Sequence, residues 1–189
     1  MMMAILDNKR VAVLATDGFE EAELTEPAKA LGEAGAKIDI IAPHPGRLQA
    51  FKHHDKTITV PVDRTFEEVN PADYDALLLP GGALNADALR MNPQAQQFIR
   101  TFASGGKPMA VICHAPWELI SAGVARGRTM TSYHTIQDDV RNAGAQWEDK
   151  EVVIDGQLVT SRQPSDIPAF NREMIALFAK APRHVKAHR

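Results

Sequence analysis

Short runs of apolar residues alternate along the chain with longer stretches of helical spacing, and that alternation predicts most of the elements. Residues 9 to 16, KRVAVLAT, become continuously apolar after Arg10 and stop at Asp17 and Gly18. This is the pattern of a strand buried on both faces of a parallel sheet. FEEAELTEPAKALGEAGA follows, with Leu24, Ala28 and Leu31 at helical spacing and Gly32 and Gly35 as a stop. Pro27 predicts a kink or a broken first turn in that helix. Lys37 to Ala42, KIDIIA, reads as the next strand, completing a βαβ unit whose crossover should be right-handed.

From Pro43 to Phe66 the pattern changes to short alternating runs, LQAF and TITV, around a polar tip, which predicts a hairpin or a pair of edge strands. Ala76 to Leu79 form a third apolar strand ending in Pro80, Gly81 and Gly82, and residues 93 to 104 a helix opened by Pro93 and closed by Gly105 and Gly106. PMAVICHAP, residues 108 to 116, holds a buried strand at Met109 to Ile112, then Cys113 and His114, then Pro116 at the start of a helix. Beyond it come a short helix (WELISAG), a strand around residues 128 to 132, and a polar helix from Thr135 to Ala143. EVVIDGQLVTSR is a hairpin about Asp155 and Gly156, and Ile167 to Ala179 an amphipathic helix with Phe170, Met174, Leu177 and Phe178 on one face. The tail APRHVKAHR is basic, and His184 and His188 read as solvated.

Strands alternating with helices imply an α/β fold, a mostly parallel sheet sandwiched between helices. Ligands of such sheets sit outside the carboxyl ends of the strands. Three turns meet that description: Asp17 to Glu21, Pro80 to Gly82, and Cys113 to Ala115.

The 189 residues fit a single domain over 1–189, with about 9–180 as folded core and 181–189 as a basic tail. A hydrophobic share of 44%, a charged share of 24% and a net charge of -3 describe an ordinary globular chain and give no nucleic-acid footprint. MMMAIL is too short for a signal or a membrane span, so the expectation is a cytoplasmic protein with no membrane partner. The one cysteine excludes an intramolecular disulfide. No motif for a metal, a nucleotide or a flavin stands out, so no cofactor is expected, and His53, His54 and Asp55 read as a charged turn.

Cys113 has two readings. A lone cysteine is commonly a small buried hydrophobe. At a strand-to-helix turn its sulfur also faces the N–H groups of the next helix, which favour thiolate and make a nucleophile. Likewise the Pro80–Gly82 turn is either a simple turn or a place where backbone N–H groups approach a ligand.

TDGFEEAE, LLLPGG and AVICHAP, with TSYHTIQDDVRNAGAQWED and VVIDGQLVTSRQPSD downstream, resemble the ThiJ/PfpI family from Val11 to about Phe178. The nearest branch is the intracellular protease I-like one, within the class I glutamine amidotransferase-like superfamily. Its members are described as peptidases, glyoxalases and protein deglycases linked to stress resistance. The resemblance implies a flavodoxin-like fold with Cys113 as the reactive cysteine. It matches Glu20 to an acid whose carboxyl hydrogen-bonds the sulfur; such a carboxyl should be protonated, since two anions in contact cannot both ionise easily. His114 matches a histidine paired with an acid from a neighbouring subunit, and Asp87 matches that acid, which implies a dimer or higher oligomer with an inter-subunit site. Asp87 also reads as an N-cap to the helix that follows it. Gly81, Gly82 and His114 match the backbone that receives an oxyanion or substrate, and Ala115 stands where the family usually has glycine.

The activity so implied is thiolate attack by Cys113 on a reactive carbonyl, methylglyoxal or its adducts, with Glu20 shuttling protons and a hydroxy acid released. A cysteine peptidase using Cys113, His114 and a neighbour's Asp87 on a peptide substrate is the enzymatic alternative. A redox sensor or chaperone working through oxidation of Cys113 is the non-enzymatic one.

Overall fold

In the computed structural model residues 4–182 are described, so the readings of His184, His188 and most of the basic tail lie outside the described residues. The apolar run at Arg10–Leu14 forms β1, buried at every position after Arg10. The chain passes through the short β2 (Phe19–Glu20) into α1 (Glu21–Glu33) and returns along β3 (Lys37–Ala42), parallel to β1 with Val11 opposite Ile38. α1 runs through Pro27, whose missing N–H deprives only the Glu23 carbonyl of a helical partner.

The hairpin is β4 (Arg47–Lys52) and β5 (Asp55–Pro61), antiparallel, with His53 at its tip in a left-handed conformation, φ 59°. β6 (Arg64–Thr65) pairs with β3. β7 (Ala76–Leu79) leads through the glycine turn into α2 (Ala83–Arg90), a helix that no apolar stripe or side-chain cap announces. α3 (Pro93–Ser104) follows, capped by Asn92, whose Oδ1 accepts from the N–H groups of Gln94 and Ala95, both at 2.9 Å. Asp87 therefore does not cap a helix: it is the fifth residue of α2 and exposed. β8 (Met109–Ile112) and α4 (Pro116–Ser121) flank the cysteine, followed by β9 (Thr129–Met130), α5 (Gln137–Asn142) and β10 (Gln146–Trp147). The hairpin strands β11 (Val153–Asp155) and β12 (Leu158–Ser161) and the helix α6 (Ile167–Lys180) complete the chain.

The main sheet has seven strands in the order β11-β12-β8-β7-β1-β3-β6, parallel throughout except for the β11–β12 hairpin. Alternate side chains feed two cores. Val11, Val13, Leu78, Ala110 and Ile112 pack with Leu24 and Leu31 of α1 and with Phe170, Met174 and Phe178 of α6. Ala12, Leu14, Leu77, Leu79 and Val111 pack with Phe98, Ile99 and Phe102 of α3, Leu119 of α4 and Val140 of α5. Among the described residues, no helix is long and apolar enough to cross a membrane.

Three adjacent strands, β1, β7 and β8, run parallel at the centre, so the turns leaving them emerge side by side at one edge of the sheet.

Candidate active site

Cys113 follows the last residue of β8 in the left-handed region, φ 66°. For a residue with a Cβ this conformation stores on the order of 1–3 kcal/mol, and the fold holds it from both sides. The Cys113 N–H donates to the Ser161 carbonyl at 3.0 Å and its carbonyl accepts from the Tyr133 N–H at 2.7 Å. Ala115, next in the turn, is already helical at φ -60°, so its methyl group needs no unusual backbone.

The glycine turn is shaped by what lies against it. A Cβ on Gly81 would lie 2.2 Å from Glu23 Oε2 and 2.6 Å from Cys113 Cβ. One on Gly82, which has φ 94°, would lie 2.4 Å from the Gly18 carbonyl oxygen and 2.6 Å from the Glu20 nitrogen. Asn85 pins the same turns: its Oδ1 accepts from the Thr16 N–H at 2.8 Å, and its Nδ2 donates to the Pro80 and Gly81 carbonyls at 3.1 and 3.2 Å.

The carboxyl at the sulfur belongs to Glu23, not to Glu20. Glu23 is fully buried on the inner face of α1. Neither of its oxygens has a partner of good geometry, and the polar groups beside them are the Cys113 thiol and the Gly81 N–H. Glu20 precedes α1 and turns the other way, its Oε2 accepting from the His53 N–H at 3.0 Å and its own N–H donating to the Gly81 carbonyl at 3.2 Å. It ties the hairpin tip to the glycine turn. The buried face of α1 carries Glu23, Leu24, Pro27 and Leu31, so the stripe at i, i+4 and i+8 through Glu23, Pro27 and Leu31 was the signal that distinguishes the two acids.

Burial, with a smaller contribution from the charge of Glu20, pushes the Glu23 carboxyl up to about 8, so it is mostly neutral at neutral pH. Burial also pushes the Cys113 thiol up, as does an ionised Glu23 beside it, while the backbone N–H groups of Gly82 and His114 pull it down. The two groups titrate as a pair. With the proton on Glu23 the repulsion disappears, and an O–H donor replaces an acceptor at the sulfur.

His114 places Nδ1 3.2 Å from Cys113 Sγ, although the two residues are neighbours in sequence. The left-handed turn at Cys113 brings the rings and the sulfur to one side. The imidazole stacks on Tyr133 with centroids 4.8 Å apart and meets the Trp117 ring edge-on at 5.3 Å. Its Nε2 lies 3.5 Å from Thr135 Oγ1. Burial, then the charge of His134, lowers its pKa, so at neutral pH it is an uncharged ring. Asp87 touches none of these groups within one chain, and Gly81 directs its N–H toward Glu23, leaving Gly82 and His114 as the N–H groups at the sulfur. Tyr133, Asn85 and Glu23 are the site residues the sequence reading passed over.

Cys113 is 6% exposed, and that remnant opens on a cavity of about 920 Å³. Glu23, Gly82, His114 and Tyr133 line it with Cys113, as do Glu20, Glu26 and the hairpin tip at residues 52–54. Among the described residues, no group of three or more histidine, cysteine or carboxylate side chains could hold a metal ion.

A family model described as the DJ-1/PfpI family matches residues 9–177. The chain belongs to the DJ-1/PfpI family. It is 47% identical over 171 residues to "Protein/nucleic acid deglycase 2" of Escherichia coli (strain K12), covering 90% of this chain and 98% of that protein. It is also 47% identical over 173 residues to "General stress protein 18" of Bacillus subtilis (strain 168), covering 91% of this chain and 99% of the relative. Among solved structures, Drosophila melanogaster DJ-1beta superposes with a TM-score of 0.83 at 29% identity, covering 91% of each chain.

Proposed function

We propose that the protein is a cysteine-dependent enzyme of the deglycase type, acting on methylglyoxal and on its early adducts with amines. The observation that carries this reading is the neutral, fully buried carboxyl of Glu23 at a strained cysteine that opens on a cavity. The relative named a protein/nucleic acid deglycase supports it.

In the proposed reaction the proton of the pair rests on Glu23 and the negative charge on Cys113. The sulfur attacks the aldehyde-derived carbon of an adduct; the S–C bond forms as the C–N bond breaks, and the leaving nitrogen takes the Glu23 proton. Glu23, now a base, removes the proton from that carbon and returns it to the neighbouring carbonyl carbon while the hydroxyl proton passes to the neighbouring oxygen, which turns the hemithioacetal into a lactoyl thioester. Water then cleaves the thioester. Adduct plus water thus gives free amine plus lactate, with no external oxidant or reductant. Gly82 and His114 N–H groups would receive the oxyanion, each worth roughly 3 kcal/mol by the usual cost of removing such a donor.

Lactate release from methylglyoxal-treated acetylarginine tests the reading. Cys113→Ala is expected to abolish it, and Glu23→Gln to lower kcat by about 10²–10⁴, the usual span for a general acid or base. Glu20→Gln should cost only a few-fold. Turnover surviving in Cys113→Ala would end the proposal, and a larger loss in Glu20→Gln than in Glu23→Gln would reverse the assignment of the acid.

One contact favours a second reading, peptide hydrolysis. His114 Nδ1 lies at hydrogen-bond distance from the sulfur, as a Cys–His pair requires. Asp87 of a neighbouring copy would then orient the ring. Asp87 lies on the outer side of α2 with Leu84, 61% exposed, and Met91, 73% exposed, apolar flanks suited to a second copy of the chain. Light scattering reads the oligomer, and casein left intact by protein that turns over methylglyoxal would reject the peptidase.

A further inference from the structure

Asn85 is the third residue of α2, fully buried, and its side chain meets backbone groups of two different turns. The Thr16 N–H requires an acceptor and the Pro80 and Gly81 carbonyls require donors, which fixes the amide one way round. Oδ1 lies 2.8 Å from the Thr16 nitrogen, and Nδ2 lies 3.1 and 3.2 Å from the two carbonyl oxygens. The contact is not a helix cap, because a cap accepts from the free N–H groups of the first turn, whereas Asn85 donates backward to carbonyls that precede the helix.

Those carbonyls belong to consecutive peptides whose N–H groups serve the site. The Pro80 carbonyl and the Gly81 N–H share one planar trans peptide, and the Gly81 carbonyl and the Gly82 N–H share the next. In a trans peptide the two groups point in opposite directions. Carbonyls held toward Asn85 therefore turn both N–H groups the other way, that of Gly81 toward Glu23 and that of Gly82 toward Cys113. Successive N–H groups on one side form a concavity for negative charge. Glycine at both positions also removes the Cβ barrier to turning either peptide over, so the orientation needs an anchor. Glu20 N–H shares the Gly81 carbonyl at 3.2 Å, while Asn85 reaches both peptides and ties them through Thr16 to the segment leaving β1.

We infer that Asn85 is a positioning residue: it holds both peptides from behind, so that the Gly81 N–H faces the acid and the Gly82 N–H faces the sulfur and any oxyanion formed there. It does not line the cavity and acts only through the turn. Its effect on turnover rests on the deglycase reading; its effect on the sulfur does not. Without the Asn85 amide the Gly82 N–H no longer supports a thiolate and the Gly81 N–H no longer supports a carboxylate, so the pair keeps its protons to higher pH.

Alkylation of the one cysteine by iodoacetamide, followed against pH, reads this without substrate. Asn85→Ala should raise the midpoint by about one pH unit, the scale of a hydrogen bond to a charged group. Phe98→Leu, which thins the core under α3, is the destabilised control and should leave the midpoint unmoved. For lactate release, Asn85→Ala should lower kcat by about 10²–10³, the span for losing one oxyanion donor, and change KM far less. In the native protein the two Nδ2 protons should exchange with solvent at least about a hundredfold more slowly than those of the exposed Asn70, a measurement that needs no variant to fold. An unmoved midpoint or an undiminished kcat in folded Asn85→Ala, an equal midpoint shift in Phe98→Leu, or exchange as fast as at Asn70 overturns the inference and leaves the deglycase reading standing. Native protein that releases no lactate, while its alkylation midpoint still depends on Asn85, overturns the deglycase reading and leaves the positioning role intact.

Discussion

Glu118 gives the strongest stability prediction, because it is a carboxyl with nothing to do. It is the third residue of α4, 1% exposed, and neither oxygen has a hydrogen-bond partner among the described residues. Burial pushes its pKa well above the ordinary 4.5. Glu118→Met keeps an unbranched side chain of similar length and removes the polar atoms. At low pH the native protein holds a neutral carboxyl whose unmet hydrogen bonds cost about 1–3 kcal/mol, and the variant regains that amount. As pH rises above 4.5 the unfolded chain loses this proton while the folded chain keeps it. The native state then binds more protons than the unfolded state, so its stability falls with rising pH, by up to about 1.4 kcal/mol per unit. The variant lacks this slope. Urea unfolding of both proteins at several values between about pH 5 and about pH 8 measures the gap, and each kcal/mol moves Tm by about 2–4 °C for a chain of this size. The methionine variant should be the more stable throughout, by a margin that widens with pH. A variant less stable than native at every pH, or a margin that does not change with pH, would refute the reasoning.

Gly81→Ala places a methyl group against Glu23 Oε2 and Cys113 Cβ; it should cost about 1–3 kcal/mol of stability and lower kcat by roughly a hundredfold through displacement of the acid, as denaturation and lactate assays would show. Cys113→Gly should be more stable than Cys113→Ala by about 1 kcal/mol in thermal unfolding, because glycine relieves the φ of 66° that alanine retains. With the Glu23 carboxyl up at about 8, kcat/KM for lactate release should fall as pH rises through that value, because the acid loses its proton there, and the pH profile of Glu23→Gln should lack that limb.

Much of the fold is legible because its signals are local. The runs at residues 11–14, 76–79 and 109–112 are apolar at every position, as strands covered on both faces must be, and the glycines and prolines that end them mark the three turns of the site. Helix α2 was missed since ALNADALR has no cap and a weak apolar face; it is fixed by packing on α4 and by the buried side chain of Asn85. Cys113 was legible from its place between strand and helix. Its acid was not, because four glutamates crowd residues 20–26 and only the helical phase, set by where α1 begins, decides which one turns inward. The contact of His114 with the sulfur was hidden for a related reason. It depends on a left-handed φ at a cysteine, which follows from tertiary hydrogen bonds to Ser161 and Tyr133.

The account turns on where one proton sits at neutral pH, and the lone cysteine lets it be found directly. The rate of Cys113 alkylation by iodoacetamide, followed by intact mass across the pH range, titrates the sulfur in the native protein. If Glu23 holds the proton, its O–H donates to the sulfur and offsets part of the burial that pushes the thiol up, so the midpoint rises further when Glu23 is replaced by aspartate, whose shorter side chain withdraws the donor. A midpoint unchanged by the substitution would contradict it.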